Sequence, residues 1–240
     1  MATPKSKLRV AITRAEADAV ETARRLEAGG VVCVTAPVLC VLRTDAARPD
    51  GVFDAIVATS VNAIGALAPS DLDALTRLPL NVVGARVADH ARAAGFSVIA
   101  SVAPNAAALA PLLLASLAPD AHVLVLAGVD RGGLLEEALA AAGRAVTPWL
   151  LYEARARSWS AEESAAVAGC AAMLHYSPRS AALALSNARA AGIAQAFAAM
   201  RHFCISAPAA AALAAAGARH IVVADSPDEA GLIAALSRRM

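Results

Sequence analysis

The apolar positions of this chain gather in short runs, and the stretches between those runs carry apolar residues at helical spacing. Leu8 to Thr13 reads as a buried strand. Ala15 to Ala28 follows with Val20, Ala23 and Leu26 on one helical face, and Gly29-Gly30 stops it. Val31 to Thr35 predicts the next strand, ended by Pro37. The same unit of strand then helix continues at Ala55–Thr59, Asn81–Val83, His122–Ala127, Ala172–His175 and Phe203–Ser206, and Ile221–Ala224 is the last strand. Strands that alternate with helices of ten or more residues argue for an α/β fold with parallel sheets covered on both faces.

The pattern repeats within the chain. "LRVAITRAEADAVETARRLEAGGVVCVTAPVL" is echoed by "HVLVLAGVDRGGLLEEALAAAGRAVTPWLL", "DAIVATSVNAIGAL" by "AAMLHYSPRSAALAL", and the block opening "NVVGARVADHARAAGF" by the one opening "HFCISAPAAAALAAAG". Val10 to Val125, Ser60 to Ser177 and Gly84 to Ser206 lie 115, 117 and 122 residues apart. Alanine richness inflates letter matches, so the shared order of three distinct strand–turn–helix units carries the argument. It predicts two similar α/β halves with a ligand cleft between them.

Composition narrows the class. Of 240 residues 58% are hydrophobic and 17% charged, which excludes disorder. A net charge of +1 gives no reason to expect nucleic acid or an anionic membrane as partner, so local groups must hold any anionic ligand. Met1 to Lys7 runs into a strand-like segment without an apolar leader core. The longest apolar stretch, Ile205 to Ala216, is broken by Pro208 and too short to span a bilayer. The expectation is a cytoplasmic, soluble monomer. Cys33, Cys40, Cys170 and Cys204 form no C-x-x-C pair and read as small buried hydrophobes. The five histidines show no metal-ligand spacing, so no metal is expected.

Neither a phosphate-binding glycine loop nor a G-x-S-x-G elbow occurs, which leaves a nucleotide cofactor or a hydrolase triad unsupported. What recurs is a small or polar residue where a strand turns into a helix: Thr13-Arg14, Thr59-Ser60, Gly84-Ala85, Gly128-Val129, Ser177-Pro178 and Ser206-Ala207. In an open parallel sheet such turns lie at the carboxyl ends of strands, where ligands bind. Each offers unpaired backbone N–H groups and the positive end of a helix dipole, which suit a carboxylate. Plain N-capping accounts equally well for any one of them. Arg14, Arg131 and Arg179 sit in or just after three of the turns, either as carboxylate clamps or as solvated surface arginines. Tyr152, at the end of the strand in "TPWLLYEARA", is one of two tyrosines; a packed seam residue and a ligand-facing hydroxyl both fit it. Tyr176, directly before Ser177, is the rival candidate.

Taken together and in order, these segments resemble the uroporphyrinogen-III synthase family. "ITRAEADAVETARRLEAGG" resembles its opening Thr-Arg segment, "DAIVATSVNAI" its Thr-Ser-x-Asn-Ala segment, and "NVVGARVADHARAAGF" its Val-Gly segment ending in Gly-Phe. "VLAGVDRGGLLEEALAAAG" with "LLYEA", then "LHYSPRSAALAL", "CISAPAAAALAAAG" and "VVADSPDEAGLIAAL", are similar to the second half. Ala15, Val87 and Pro208-Ala209 stand where the family often has proline, threonine and threonines.

The resemblance implies a chain that begins in one domain, builds all of a second and returns. Domain one would be residues 1–37 plus 155–240 and domain two residues 43–148, with Val38–Leu42 and Trp149–Ala154 paired as a two-stranded connector. It implies a cyclising lyase acting on hydroxymethylbilane without cofactor. Loss of the hydroxymethyl hydroxyl gives an azafulvene, the substituted carbon of the terminal pyrrole attacks it to form a spiro intermediate, and cleavage and reclosure invert that ring. Tyr152 matches the tyrosine that assists departure of the hydroxyl. Thr13, Arg14, Ser60, Gly84, Gly128, Arg131, Ser177, Arg179 and Ser206 are the expected substrate-binding positions. A synthase-like module that binds a polycarboxylate without catalysis is the competing reading; a two-lobed periplasmic receptor is disfavoured by the lack of a leader.

Overall fold

The computed structural model describes residues 8–239, so the reading of Met1–Lys7 lies outside the described residues. The chain forms two compact units, Met1–Cys40 with Arg155–Met240 and Val41–Ala154. The first unit opens with β1 (Arg9–Ile12), α1 (Glu16–Glu27) and β2 (Val32–Thr35), and β3 (Leu39–Arg43) leads out of it. The second contains β4 (Ala55–Ala58), α2 (Val61–Gly65), α3 (Pro69–Leu75), β5 (Leu80–Val83), α4 (Ala85–Ala93), β6 (Ile99–Ala103), α5 (Ala106–Ser116), β7 (His122–Gly128) and α6 (Leu134–Ala141). β8 (Ala145–Ala156) returns the chain to the first unit, which is completed by α7 (Ala161–Ala168), β9 (Ala172–His175), α8 (Pro178–Ala190), α9 (Ala194–Ala199), β10 (Arg201–Cys204), α10 (Ala207–Ala215), β11 (His220–Val223) and α11 (Glu229–Ser237).

The two sheets repeat one topology in permuted chain order. Unit one reads β2-β1-β9-β10-β11, and all its pairings are parallel. Unit two reads β8-β7-β4-β5-β6 in parallel register, with β3 added outside β8. β1-α1-β2 therefore corresponds to β7-α6-β8, and β9 to β11 correspond to β4 to β6, in the same pairing as the internal repeat. In each sheet the strand order reverses once, between β1 and β9 in one unit and between β7 and β4 in the other. That reversal opens a crevice at the carboxyl ends of the strands.

Both faces of each sheet are covered, which is why the strands read as unbroken apolar runs. In unit two, Ile56 and Ala58 pack into one cluster with Phe53, Leu80 and Trp149, while Val57 packs on the other face with Leu109, Leu113 and Leu139. In unit one, Val10 and Ile12 face Phe203 and Leu232, and Ala11 faces the alanines of α8 and α10. Small side chains let α8 and α10 lie close, so the large residues Phe197, Phe203 and Met173 supply much of the buried area there. Truncating Phe203 to alanine costs about 3–5 kcal/mol on typical core values.

Two sequence expectations need correction. Strand β10 lies two residues earlier than Phe203–Ser206, because Arg201 to Cys204 pair with Ala172 to His175 and Ser206 serves as the N-cap of α10. Tyr152 lies inside β8, which continues four residues beyond it. The two crossings lie side by side, β3 next to β8, as the expected two-stranded connector. β8 is one strand: its first part pairs with β7, and its later part lies beside β3 in the same six-stranded sheet. Arg157 N donates to Val38 O and Thr44 N to Leu151 O, so β3 and β8 run antiparallel.

Candidate active site

The crevice of unit two is built from glycines and one tyrosine. β7 ends at Gly128, and the turn Val129–Gly133 leads to α6, whose N-cap Gly133 takes φ +68°, a conformation side chains disfavour. The N–H of Val129 donates to Tyr152 O at 2.8 Å, tying the turn to β8. A cavity of about 260 Å³ opens here, lined among others by Thr59, Gly128, Asp130, Arg131, Glu136 and Tyr152. Arg131 Nε donates to Glu136 Oε1 at 2.7 Å, which leaves its terminal amino groups outside that ion pair. The half-buried Tyr152 lays its ring against Gly128, and its hydroxyl has no hydrogen-bond partner among the described residues. A phenol beside a cavity, with its O–H unclaimed among the described residues, is available to donate to a bound group.

Two other predicted positions of this unit are helix caps. Ser60 Oγ accepts from Asn62 N at 3.2 Å at the start of α2. Gly84 caps α4 with φ +86°, and its N–H donates to Ala103 O. Arg86, not singled out from the sequence, occupies the second position of that helix, whose first turn carries no acidic residue.

At the equivalent crevice of unit one, side chains occupy the space. Thr13 is fully buried and spends its hydroxyl on Leu174 O at 2.8 Å. Arg14 Nη1 donates to Thr22 Oγ1 at 3.2 Å and to Glu229 Oε1 at 2.9 Å, and Nη2 lies 3.3 Å from Asp18 Oδ2. Thr22 also donates to Glu229, and Arg25 pairs with the second oxygen of that carboxylate at 3.0 Å. The Arg14 guanidinium stacks 4.6 Å from the centre of the Tyr176 ring. Tyr176 is thereby sealed in: its hydroxyl is buried without a partner among the described residues, and burial pushes its pKa up to about 12. Tyr176 thus does not offer a ligand-facing hydroxyl, and Arg14 is committed to Glu229 and Asp18.

The remaining predicted residues of this unit lie on helix starts. Ser177 Oγ accepts from Ser180 N, and Pro178 fills the first position of α8. Arg179 follows in the exposed first turn, which has no acidic residue. Ser206 caps α10 through its backbone, without a side-chain capping bond.

Behind Tyr176 lies a pair that sequence spacing does not show. His175 Nε2 stands 3.0 Å from His202 Nδ1, and His202 Nε2 stands 2.9 Å from Phe197 O. A carbonyl only accepts, so His202 carries its proton on Nε2 and receives one bond from His175 Nε2–H. The Nδ1 of His175 is then a buried lone pair without a partner among the described residues. Burial holds both imidazoles below their ordinary pKa, and His202 and His220 add repulsion to His175 and His202 respectively.

Among the described residues no group of three or more His, Cys, Asp or Glu is placed to hold a metal ion, and no helix is long and apolar enough to cross a membrane. The four cysteines are free thiols. Burial pushes the pKa of Cys33 up to about 11 and that of Cys204 to about 12, which keeps both as unreactive thiols.

The fold is similar to the crystal structure of uroporphyrinogen-III synthetase from Helicobacter pylori 26695, with a TM-score of 0.64 at 16% identity, covering 98% of this chain and 100% of that one. A mutant uroporphyrinogen III synthase from the extremely thermophilic bacterium Thermus thermophilus aligns with a TM-score of 0.49 at 17% identity over 96% of this chain and 98% of that one. Comparison with curated proteins gave no match. The family model for uroporphyrinogen-III synthase HemD matches residues 20–234. That match spans most of the 240 residues and both units, and the chain belongs to the uroporphyrinogen-III synthase family.

Proposed function

We propose that this chain closes hydroxymethylbilane to uroporphyrinogen III with inversion of the terminal pyrrole and release of water, and that unit two supplies the proton donor. The observation that carries the placement of the chemistry is the unclaimed hydroxyl of Tyr152 beside the cavity at the end of β7. At about 260 Å³ that cavity lies below the roughly 300–1,000 Å³ of pockets for drug-sized ligands, so it takes one end of the bilane, the hydroxymethyl pyrrole.

In the first step the C–O bond breaks, oxygen leaves with the electron pair and takes a proton from the Tyr152 hydroxyl, and water departs. The pyrrole gains positive charge as this happens. Arg131 and Glu136 offset each other in one ion pair at the cavity, and Asp130 adds a carboxylate that favours that charge. Glu136 and Glu137 in the first turn of α6 already oppose the positive end of its dipole, which makes this helix start a poor place for the substrate's carboxylates. Within unit two, the start of α4 at Gly84 suits an acetate or propionate better, because its first turn has no acidic residue. Taken by itself, unit one offers the same feature at the starts of α8 and α10, where Ser177, Arg179 and Ser206 stand. Ring closure releases a proton, which restores Tyr152. Unassisted closure gives the uninverted isomer, so holding one conformation of the bilane is the larger part of the task. A reducing, cytoplasmic setting is the one that suits four free thiols.

The test is to supply freshly made hydroxymethylbilane to the purified protein without metal or nucleotide and to separate the products. Predominant type III isomer is expected. Type I product alone, from folded protein that binds the bilane, assigns the chain to the non-catalytic binding module instead.

A further inference from the structure

Strand β8 does not keep its alternation at Tyr152. Ala127 pairs with Leu150 but Gly128 pairs with Tyr152, so the register shifts and Leu151 is an extra residue. Trp149 and Leu151 pack into one cluster of unit two and Leu150 into the other, as alternation requires. Tyr152 then packs against the same cluster as Leu151, where a regular strand would send it to the opposite face. A bulge of this kind re-aims the side chain that follows it.

The re-aimed ring rests where a side chain at position 128 would be. A Cβ on Gly128 would lie 2.7 Å from Cζ, 2.8 Å from Cε2 and 3.1 Å from the hydroxyl oxygen of Tyr152. Such distances are below van der Waals contact. Gly128 does not have positive φ, so its backbone conformation is open to any residue and does not explain the glycine. Glycine in a strand marks a bulge or a close approach, and here it marks both.

From this we infer that Gly128 and the bulge at Leu151 form a seat that positions the Tyr152 hydroxyl, which makes Gly128 a positioning residue for the proton transfer and not a contact for substrate carboxylates. The inference rests on the reading of Tyr152 given above, and its geometric half stands apart from it. Gly128→Ala keeps the backbone and displaces the ring, because the obstructing atoms belong to the far end of a side chain that can rotate. Misplacement by about 1 Å is enough to cost roughly 10²-fold in a positioned step.

The experiment has two arms. The chain has two tyrosines, so a Tyr176→Phe background leaves Tyr152 as the sole tyrosine, and its ring protons can be read by NMR. In the ligand-free protein, Gly128→Ala should move the ring resonances of Tyr152. Gly132→Ala, where an added Cβ meets nothing within 4 Å, should leave them in place. Unmoved resonances in Gly128→Ala overturn the seat whatever the protein's activity. In the second arm, turnover of hydroxymethylbilane is compared in Gly128→Ala, Tyr152→Phe and the double variant. If Gly128 acts through Tyr152, Gly128→Ala lowers turnover with KM nearly unchanged and adds no further loss once the hydroxyl is gone. Losses that multiply in the double variant mean that Gly128 serves substrate directly, which overturns the assignment. Moved ring resonances with no activity in the parent protein would sink the proposed reaction and leave the seat intact.

Discussion

The two crevices come from one repeated topology, yet they are finished in opposite ways. At β1 and β9 an arginine follows the first strand, and Glu229, Thr22 and Asp18 close around it with Tyr176 underneath. At β7 and β4 the corresponding turn carries Gly128-Val129, and a cavity stands where unit one has its ion-pair network. Both units place a tyrosine near this point. Tyr176 is sealed by burial, whereas Tyr152 lines open space with its hydroxyl unclaimed. A strand-order reversal therefore creates a place for chemistry without specifying any. The side chains at the turn decide whether the place becomes part of the core or a site.

The largest expected difference between the units is their response to acid. His175 and His202 are held neutral in unit one, and no histidine of unit two is buried. Their folded pKa values are depressed, so their contribution is complete above the unfolded value of about 6.5. It is lost as pH falls below that value, because the unfolded chain then binds protons that the folded one refuses. Each imidazole contributes a slope of up to about 1.4 kcal/mol per pH unit in this range. Hydrogen exchange followed from pH 7 to pH 5 should show β9 and β10 losing protection ahead of β4 and β7. Replacing both histidines by leucine should flatten the slope; equal loss of protection in the two units would break the contrast.

A smaller effect is expected at the ion-pair network. Glu229→Ala removes the charged acceptor shared by Arg14, Thr22 and Arg25, leaving Arg14 with Asp18, Thr22 with the Asp18 carbonyl and Arg25 with Glu21, at a cost of about 1–3 kcal/mol for hydrogen bonds to a charged group. Urea unfolding measures this directly. A change within about 0.5 kcal/mol would mean that the network is no more than a set of surface pairs. The smallest effect belongs to Tyr176→Phe, which removes a buried hydroxyl that makes no hydrogen bond among the described residues. Stability should stay within about 0.5 kcal/mol or rise slightly, since deleting an unpaired polar group relieves its burial. A loss above about 1 kcal/mol would reveal a partner for that hydroxyl and weaken the contrast with Tyr152.

Much of the fold is legible in the chain because strands covered on both faces are short apolar runs, and helices of this length keep their spacing. The half-exposed edge strand Ile99–Ala103 lacks such a run, and spacing alone does not distinguish it. The length of β8 is hidden by Pro148. A proline is tolerated there because at that point β8 has β7 on one side, paired Val125 to Pro148, and β3 begins to lie along it only further on. Tyr152 stands out by scarcity, and the caps Ser60 and Ser177 by residue type. The seat at Gly128 depends on a one-residue register shift between strands, which alternation along either strand alone does not show. The closure of unit one joins Thr22 to Glu229 across most of the chain, and no local pattern carries that contact.

The central claim is that the open crevice supplies the proton for departure of the hydroxyl and the closed one does not. Single-turnover conversion of hydroxymethylbilane by Tyr152→Phe and Tyr176→Phe, with both products separated, tests it most directly. General-acid assistance is worth about 10²–10⁴-fold, and a substrate that sheds its hydroxyl readily puts Tyr152→Phe at the low end of that range or below. Its remaining product should still be type III, since inversion depends on the held conformation of the bilane, and Tyr176→Phe should turn over at the parent rate. Parent-rate turnover by Tyr152→Phe, or equal losses in both variants, would contradict the account.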